Sequence, residues 1–140
     1  MLAIASDHNG FELKEQIIQY FKNKLNIQDL GCFNKQDKVD YPDYASAVCN
    51  AIAEEQVEFG VLICKAGIGM SIAANRKEYI RAAVCSNITL ANIARQKYDA
   101  NILVLASDNT SPTDAIAMLE VFINAKFEGG KHARRLEKIC

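Results

Sequence analysis

Two histidines, two prolines and the absence of any paired-cysteine motif are the informative scarcities in this 140-residue sequence. With only His8 and His132 present, a multi-histidine metal site is not expected. Pro42 and Pro112 stand alone and no low-complexity tract marks a linker, so residues 1–140 are expected to form one domain. The five cysteines (Cys32, Cys49, Cys64, Cys85, Cys140) are odd in number, scattered and never spaced C-x-x-C. That pattern excludes a disulfide framework or a zinc knuckle and fits a reducing compartment, so a cytoplasmic location is expected. Charge of one sign is also missing: 16 basic residues offset 17 acidic ones, for a net charge of -1. Neither nucleic acid nor an anionic membrane is expected as a partner. No apolar run reaches the roughly 18 residues of a membrane span, and Asp7 and His8 interrupt the apolar N-terminus.

What is present is alternation. Short apolar runs at residues 2–6, 27–30, 59–64, 81–85 and 102–106 are strand candidates. Helical patterns fill the gaps at residues 10–24, 40–55, 70–75, 88–99 and 112 to about 126. In the first, Phe11, Ile17, Ile18, Phe21 and Leu25 fall on or near one stripe; in the last, Ser111 is placed to cap and Pro112 suits the first turn. Five near-continuous apolar strands, each followed by a helix, predict a five-stranded parallel sheet with helices on both faces: a three-layer αβα, Rossmann-like doubly wound α/β fold. Ligands in such folds bind at the carboxyl ends of the strands, near the switch in strand order. That rule singles out Asp7 and His8, residues 64–69, Cys85 with Ser86, and Ser107 with Asp108.

Three groups at or beyond those ends carry candidate chemistry. In Cys64-Lys65-Ala66-Gly67-Ile68-Gly69-Met70-Ser71, a cysteine closes a strand, two glycines turn the chain and a helix begins. Backbone N–H groups at a helix N-terminus bind anions, and the positive end of a helix lowers a neighbouring thiol's pKa. The same stretch also reads as a buried small hydrophobe and a plain turn. A dinucleotide fingerprint is excluded, because Ile72 stands where its third glycine belongs. His8 beside Asp7 reads either as a structural histidine or as one that binds an anion or moves a proton. The tail Lys131-His132-Ala133-Arg134-Arg135 packs four basic side chains into five residues, either a solvated helix face at about 129–139 or a phosphate clamp.

Taken in order along the whole chain, these motifs resemble type B ribose-5-phosphate isomerases and the related galactose-6-phosphate isomerase subunits. The resemblance is carried by Asp7-His8-Asn9-Gly10-Phe11, Asp40-Tyr41-Pro42 with Tyr44-Ala45, Leu62-Ile63-Cys64, residues 67–75, Ile80-Arg81-Ala82, Arg95-Gln96, and Phe127-Glu128-Gly129-Gly130 with the basic tail. It implies an isomerase of carbohydrate metabolism in the pentose phosphate pathway. It also implies a homodimer or tetramer with active sites shared between subunits, and no metal or organic cofactor. By the same resemblance Cys64 is the general base, and the backbone from Lys65 through Ala66, Gly67, Ile68 and Gly69 to Met70 forms the anion hole. Asp7, His8 and Tyr98 bind the sugar, Lys131 and Arg135 bind its phosphate, and Lys97 stands where a ring-opening histidine is usual.

The chain departs from that pattern at Lys65-Ala66, where glycine and threonine are usual, and at Lys97, Asp108 and Lys131. Lysine titrates near 10.4 when unperturbed, a poor match to proton transfer at neutral pH, and Lys131 gives up an arginine's bidentate geometry. The expected activity is interconversion of ribose 5-phosphate and ribulose 5-phosphate. The alternatives are an isomerase of another sugar phosphate, of the hexose 6-phosphate type, or a non-catalytic sugar-phosphate-binding subunit.

Overall fold

A computed structural model describes residues 1–139; Cys140, the last residue of the expected domain, lies outside the described residues. In chain order the elements are β1 (Leu2–Ser6), α1 (Phe11–Phe21), β2 (Ile27–Asp29), α2 (Tyr41–Ala53), β3 (Phe59–Cys64), α3 (Ile68–Asn75), β4 (Ala82–Val84), α4 (Ile88–Tyr98), β5 (Ile102–Ala106), α5 (Pro112–Asn124) and α6 (Lys131–Glu137). All strand pairs are parallel, in the order β2-β1-β3-β5-β4. The period of two along each strand sorts side chains to two cores. Ile4, Ile63 and Leu105 pack with α1, α4 and α5 on one face. Ala5, Leu62, Cys64 and Val104 pack with α2 and α3 on the other. This is the expected αβα arrangement.

The chain leaves β1 toward β2 on one side and leaves β3 toward β5 and β4 on the other. The crevice between the carboxyl ends of β1 and β3 is therefore the switch point, where doubly wound sheets bind ligands. Asp7 follows one of these strands and Lys65 the other.

Several expectations need correction. Near-continuous burial holds for β1, β3 and β5, whereas β2 and β4 are three-residue, partly exposed edge strands with one neighbour each. On α1 the buried residues are Leu13, Lys14, Ile17 and Phe21, so the stripe is rotated from the expected one and admits a lysine. That helix ends at Phe21, whose carbonyl takes both the Lys24 and Leu25 N–H groups, rather than at residue 24. α3 starts two residues earlier than expected because Gly67, at φ 78°, turns the chain directly into it. The cap of α5 is as expected: Ser111 Oγ accepts the Asp114 N–H at 3.1 Å.

Gly10 welds the β1–α1 turn onto β3. A Cβ there would lie 2.7 Å from Ile63 Cγ2 and 2.8 Å from the Ile63 carbonyl oxygen. The carbonyl belongs to a central strand and has little freedom to move, so Gly10→Ala is expected to destabilise by about 1–3 kcal/mol. Urea unfolding measures this, and an unchanged midpoint would refute the contact.

Candidate active site

Cys64 is the last residue of β3, its side chain 5% exposed on the α2/α3 face. Its carbonyl takes the Ser107 N–H at 2.9 Å, and the Lys65 carbonyl takes that of Asp108 at 3.1 Å, so the end of β5 pins the start of the turn. Gly67 then adopts the left-handed conformation, which costs roughly 1–2 kcal/mol for a residue with a Cβ. The helix ladder begins only with the Ser71 N–H on the Gly67 carbonyl. As a result, none of the backbone N–H groups of residues 65–70 has a protein acceptor among the described residues. Six successive donors at the N-terminal end of a helix, beside a cysteine, form a site for negative charge. The Tyr41 ring packs on Gly69, where a Cβ would come within 2.7 Å of it, and walls one side.

Across the crevice, Asp7 is buried and its Oδ1 accepts the N–H groups of Asn9 (3.0 Å) and Gly10 (3.1 Å). The carboxylate thus shapes its own turn. His8 Nδ1 accepts the Val39 N–H at 3.1 Å. A ring nitrogen that accepts carries no proton, so the neutral imidazole holds its proton on Nε2. Nε2 has no protein partner among the described residues and is offered as a donor. Lys65, Ala66, Ile68 and Asp108 are exposed around the rim.

The second group of expected residues lies elsewhere. α4 runs back against the strands, so Lys97 and Tyr98, at its end, reach the amino end of the sheet just before β5. There they line a cleft of about 270 Å³ with Lys131, His132 and Arg135 of α6. The five residues of β5 separate this cleft from the Cys64 end, a rise of roughly 16 Å. One copy of the chain therefore brings Asp7, His8 and residues 64–70 together at one end, and Lys97, Tyr98, Lys131 and Arg135 together at the other.

Sequence reasoning missed what supports the second of these ends. Arg95 is buried, its Nη1 donating to Asp99 Oδ1 (2.9 Å) and the Ala100 carbonyl (2.7 Å), its guanidinium stacked over Phe59. Arg81 holds Asp99 from the other side, donating from Nε to its carbonyl at 2.7 Å. The Glu128 N–H on the Gln96 carbonyl then ties the approach to α6 onto α4. No periodicity signals a buried arginine. Cys85, placed by the sequence at the functional end, packs into the α1/α4/α5 core. Burial pushes the thiols of Cys49 and Cys85 up to about 11, so both stay protonated at neutral pH. Among the described residues no cluster of three His, Cys, Asp or Glu side chains is placed to hold a metal ion. No described helix is long and apolar enough to cross a membrane.

Fold and site together define a doubly wound α/β protein with a row of unpartnered backbone N–H groups and a cysteine at its switch point. Comparison with known proteins gives the family: the ribose/galactose isomerase model matches residues 2–139, and the chain belongs to that family of isomerases. Ribose-5-phosphate isomerase B of Escherichia coli (strain K12) is 38% identical over 139 residues, covering 99% of this chain and 93% of the relative. The crystal structure of a ribose 5-phosphate isomerase from Thermotoga maritima superposes with a TM-score of 0.96 at 44% identity, covering 99% of this chain and 95% of that one. Ribose-5-phosphate isomerase B from Mycoplasma genitalium, solved with bound ribulose-5-phosphate, has a TM-score of 0.93 at 38% identity, covering 99% and 92%.

Proposed function

We propose that this isomerase interconverts ribose 5-phosphate and ribulose 5-phosphate through an enediolate, with Cys64 as the general base. The observation that carries the mechanism is the row of unpartnered N–H groups at residues 65–70 directly after Cys64. The Cys64 thiolate takes the proton from C2 of the open aldose. The C–H electron pair becomes the C1=C2 bond, and the former carbonyl oxygen on C1 gains negative charge. Donors already aimed at that oxygen cost no reorganisation in the transition state, and losing one costs on the order of 10²–10³ in rate. The Cys64 thiol returns the proton to C1 as the C1=C2 pair takes it up, and the C2 hydroxyl proton passes to the oxygen on C1, leaving the C2 carbonyl of the ketose and regenerating the thiolate. The step is redox-neutral and uses no metal or organic cofactor.

His8, with its proton on Nε2, serves as a donor to a sugar oxygen; the Val39 N–H occupies the nitrogen it needs for taking up a proton. Ring opening is left to Lys97 or Tyr98, or is spontaneous. The distance between the two ends supports a homodimer, or a tetramer built from it. In that assembly Lys97, Tyr98, Lys131 and Arg135 of one copy complete the Cys64 site of another. Exposed Ile68 and Ile72 on α3, Val84 on the edge strand β4 and Ile88 on α4 offer the apolar cover such a contact needs. The cysteine pattern supports work in the reducing cytoplasm. A hexose 6-phosphate is the second reading, favoured by exposed Asp108 held at the rim, whose carboxylate can accept the additional hydroxyl of a longer sugar.

Proton NMR of ribose 5-phosphate with the protein in D2O is the test. Ribulose 5-phosphate is expected, with deuterium entering at C1 or C2. Turnover of hexose 6-phosphates alone would replace this reading with the second, and turnover of neither would overturn both.

A further inference from the structure

Lys14 has no exposed surface, and the mechanism makes no use of it. Its Nζ donates to both oxygens of Asp29 at 2.9 Å and to Glu15 at 2.9 Å, between the rings of Phe11 (5.2 Å) and Phe33 (5.7 Å). Ordering an ammonium group inside a protein gains little stability, because desolvation offsets the attraction. The role of the pair is visible in the segment beyond Asp29. The Asp29 Oδ1 also accepts the Gly31 N–H at 3.0 Å. Gly31 and Cys32 then clamp Ser6, the Gly31 carbonyl taking the Ser6 N–H at 2.7 Å and the Cys32 N–H reaching the Ser6 carbonyl at 2.9 Å. Cys32 Sγ donates to the Asn34 carbonyl, and Asn34 Oδ1 caps the N–H groups of Gln36 and Asp37. Two residues later the Val39 N–H meets His8 Nδ1. Hydrogen bonds as far as Asp37, and the covalent chain across residue 38 to Val39, link the buried ammonium to the imidazole.

We propose that Lys14 and Asp29 are positioning residues. Their buried ion pair anchors residues 29–39 so that the Val39 N–H holds His8 in the tautomer that presents Nε2–H to the sugar. The consequence for catalysis rests on the isomerase reading above; the effect on the His8 tautomer does not.

Long-range ¹H–¹⁵N spectra of the full chain labelled at histidine resolve only two rings, His8 and His132. Wild type is expected to show His8 as the single Nε2–H tautomer. Asp29→Ala leaves Lys14 paired with Glu15 and is expected to fold, with His8 sampling both tautomers. Its kcat/KM falls by about 10- to 100-fold, the range that small misplacements produce, and mainly through KM because His8 binds rather than transfers a proton. Lys14→Met, near-isosteric and leaving a partly hydrated Asp29, serves as the second variant with the same expectation. Lys35→Ala, which removes only the exposed contact with Glu12, should leave spectrum and rate unchanged. A single wild-type tautomer in folded Asp29→Ala and Lys14→Met overturns the proposal, as does an equal change in Lys35→Ala. Absence of turnover by wild type would remove the isomerase reading, and the spectra would still decide the positioning.

Discussion

Cys64→Ala is expected to lower kcat for ribose 5-phosphate by about 10²–10⁴, the range that a positioned general base contributes. On the proposed reading the sugar is held by Asp7, His8, Tyr98 and the backbone of residues 65–70, none of which the substitution removes, so KM should change little. The loss should not be a folding defect. The side chain is small, sits at the end of its strand beside Met70 and Ala74, and truncation removes one sulfur from the edge of that core. A substitution of this size costs on the order of 1 kcal/mol. Residual activity is also expected, because the anion hole survives and stabilises any enediolate that water manages to form. Steady-state kinetics with deuterium exchange, beside a urea unfolding curve, separates these effects. Wild-type turnover and exchange in a folded Cys64→Ala variant would assign the base elsewhere.

The second large effect is a recovery of activity. Arg135→Ala removes a guanidinium placed at the opposite end of the sheet from Cys64. If that guanidinium holds the phosphate, losing one partner of the charge-assisted contact costs roughly 2–5 kcal/mol, so kcat/KM should fall by at least about 30-fold, largely in KM. If each site combines Cys64 of one copy with Arg135 of another, mixed subunits behave distinctively. A hybrid of Cys64→Ala with Arg135→Ala has one doubly defective site and one intact site. Equal mixing with free exchange makes about half the dimers hybrids, so about a quarter of wild-type activity should return. Were the site complete within one chain, every site in the mixture would carry one lesion and nothing would return. Activity measured against time after mixing, with subunit exchange followed by native mass spectrometry, distinguishes the two.

Much of the architecture was legible in local patterns. β1, β3 and β5 are almost entirely apolar because strands in the middle of a parallel sheet are covered on both faces. Ser111 with Pro112 announces a helix start, and the glycines after Cys64 announce a turn, because capping and tight turns depend on the residue type at each position. The edge strands were overextended. A strand with one neighbour needs no continuous apolar run, so its ends leave no clear mark in the sequence.

The sequence by itself determined the αβα class, the cysteine-and-glycine turn after β3 and the polar pair after β1, since hydrophobic period, capping and glycine's conformational freedom act within a few residues. Only the tertiary structure decided the strand order, and with it the crevice that sets Asp7 opposite Lys65. It alone showed the Val39 N–H bonded to His8 across 31 positions, Lys14 buried against Asp29, Arg95 buried against the ring of Phe59, and the basic cleft at the far end of the sheet from Cys64. Each depends on where loops bring residues that are remote along the chain. A hydrogen bond or ion pair of that kind is set by the packing of whole elements and leaves no period behind it.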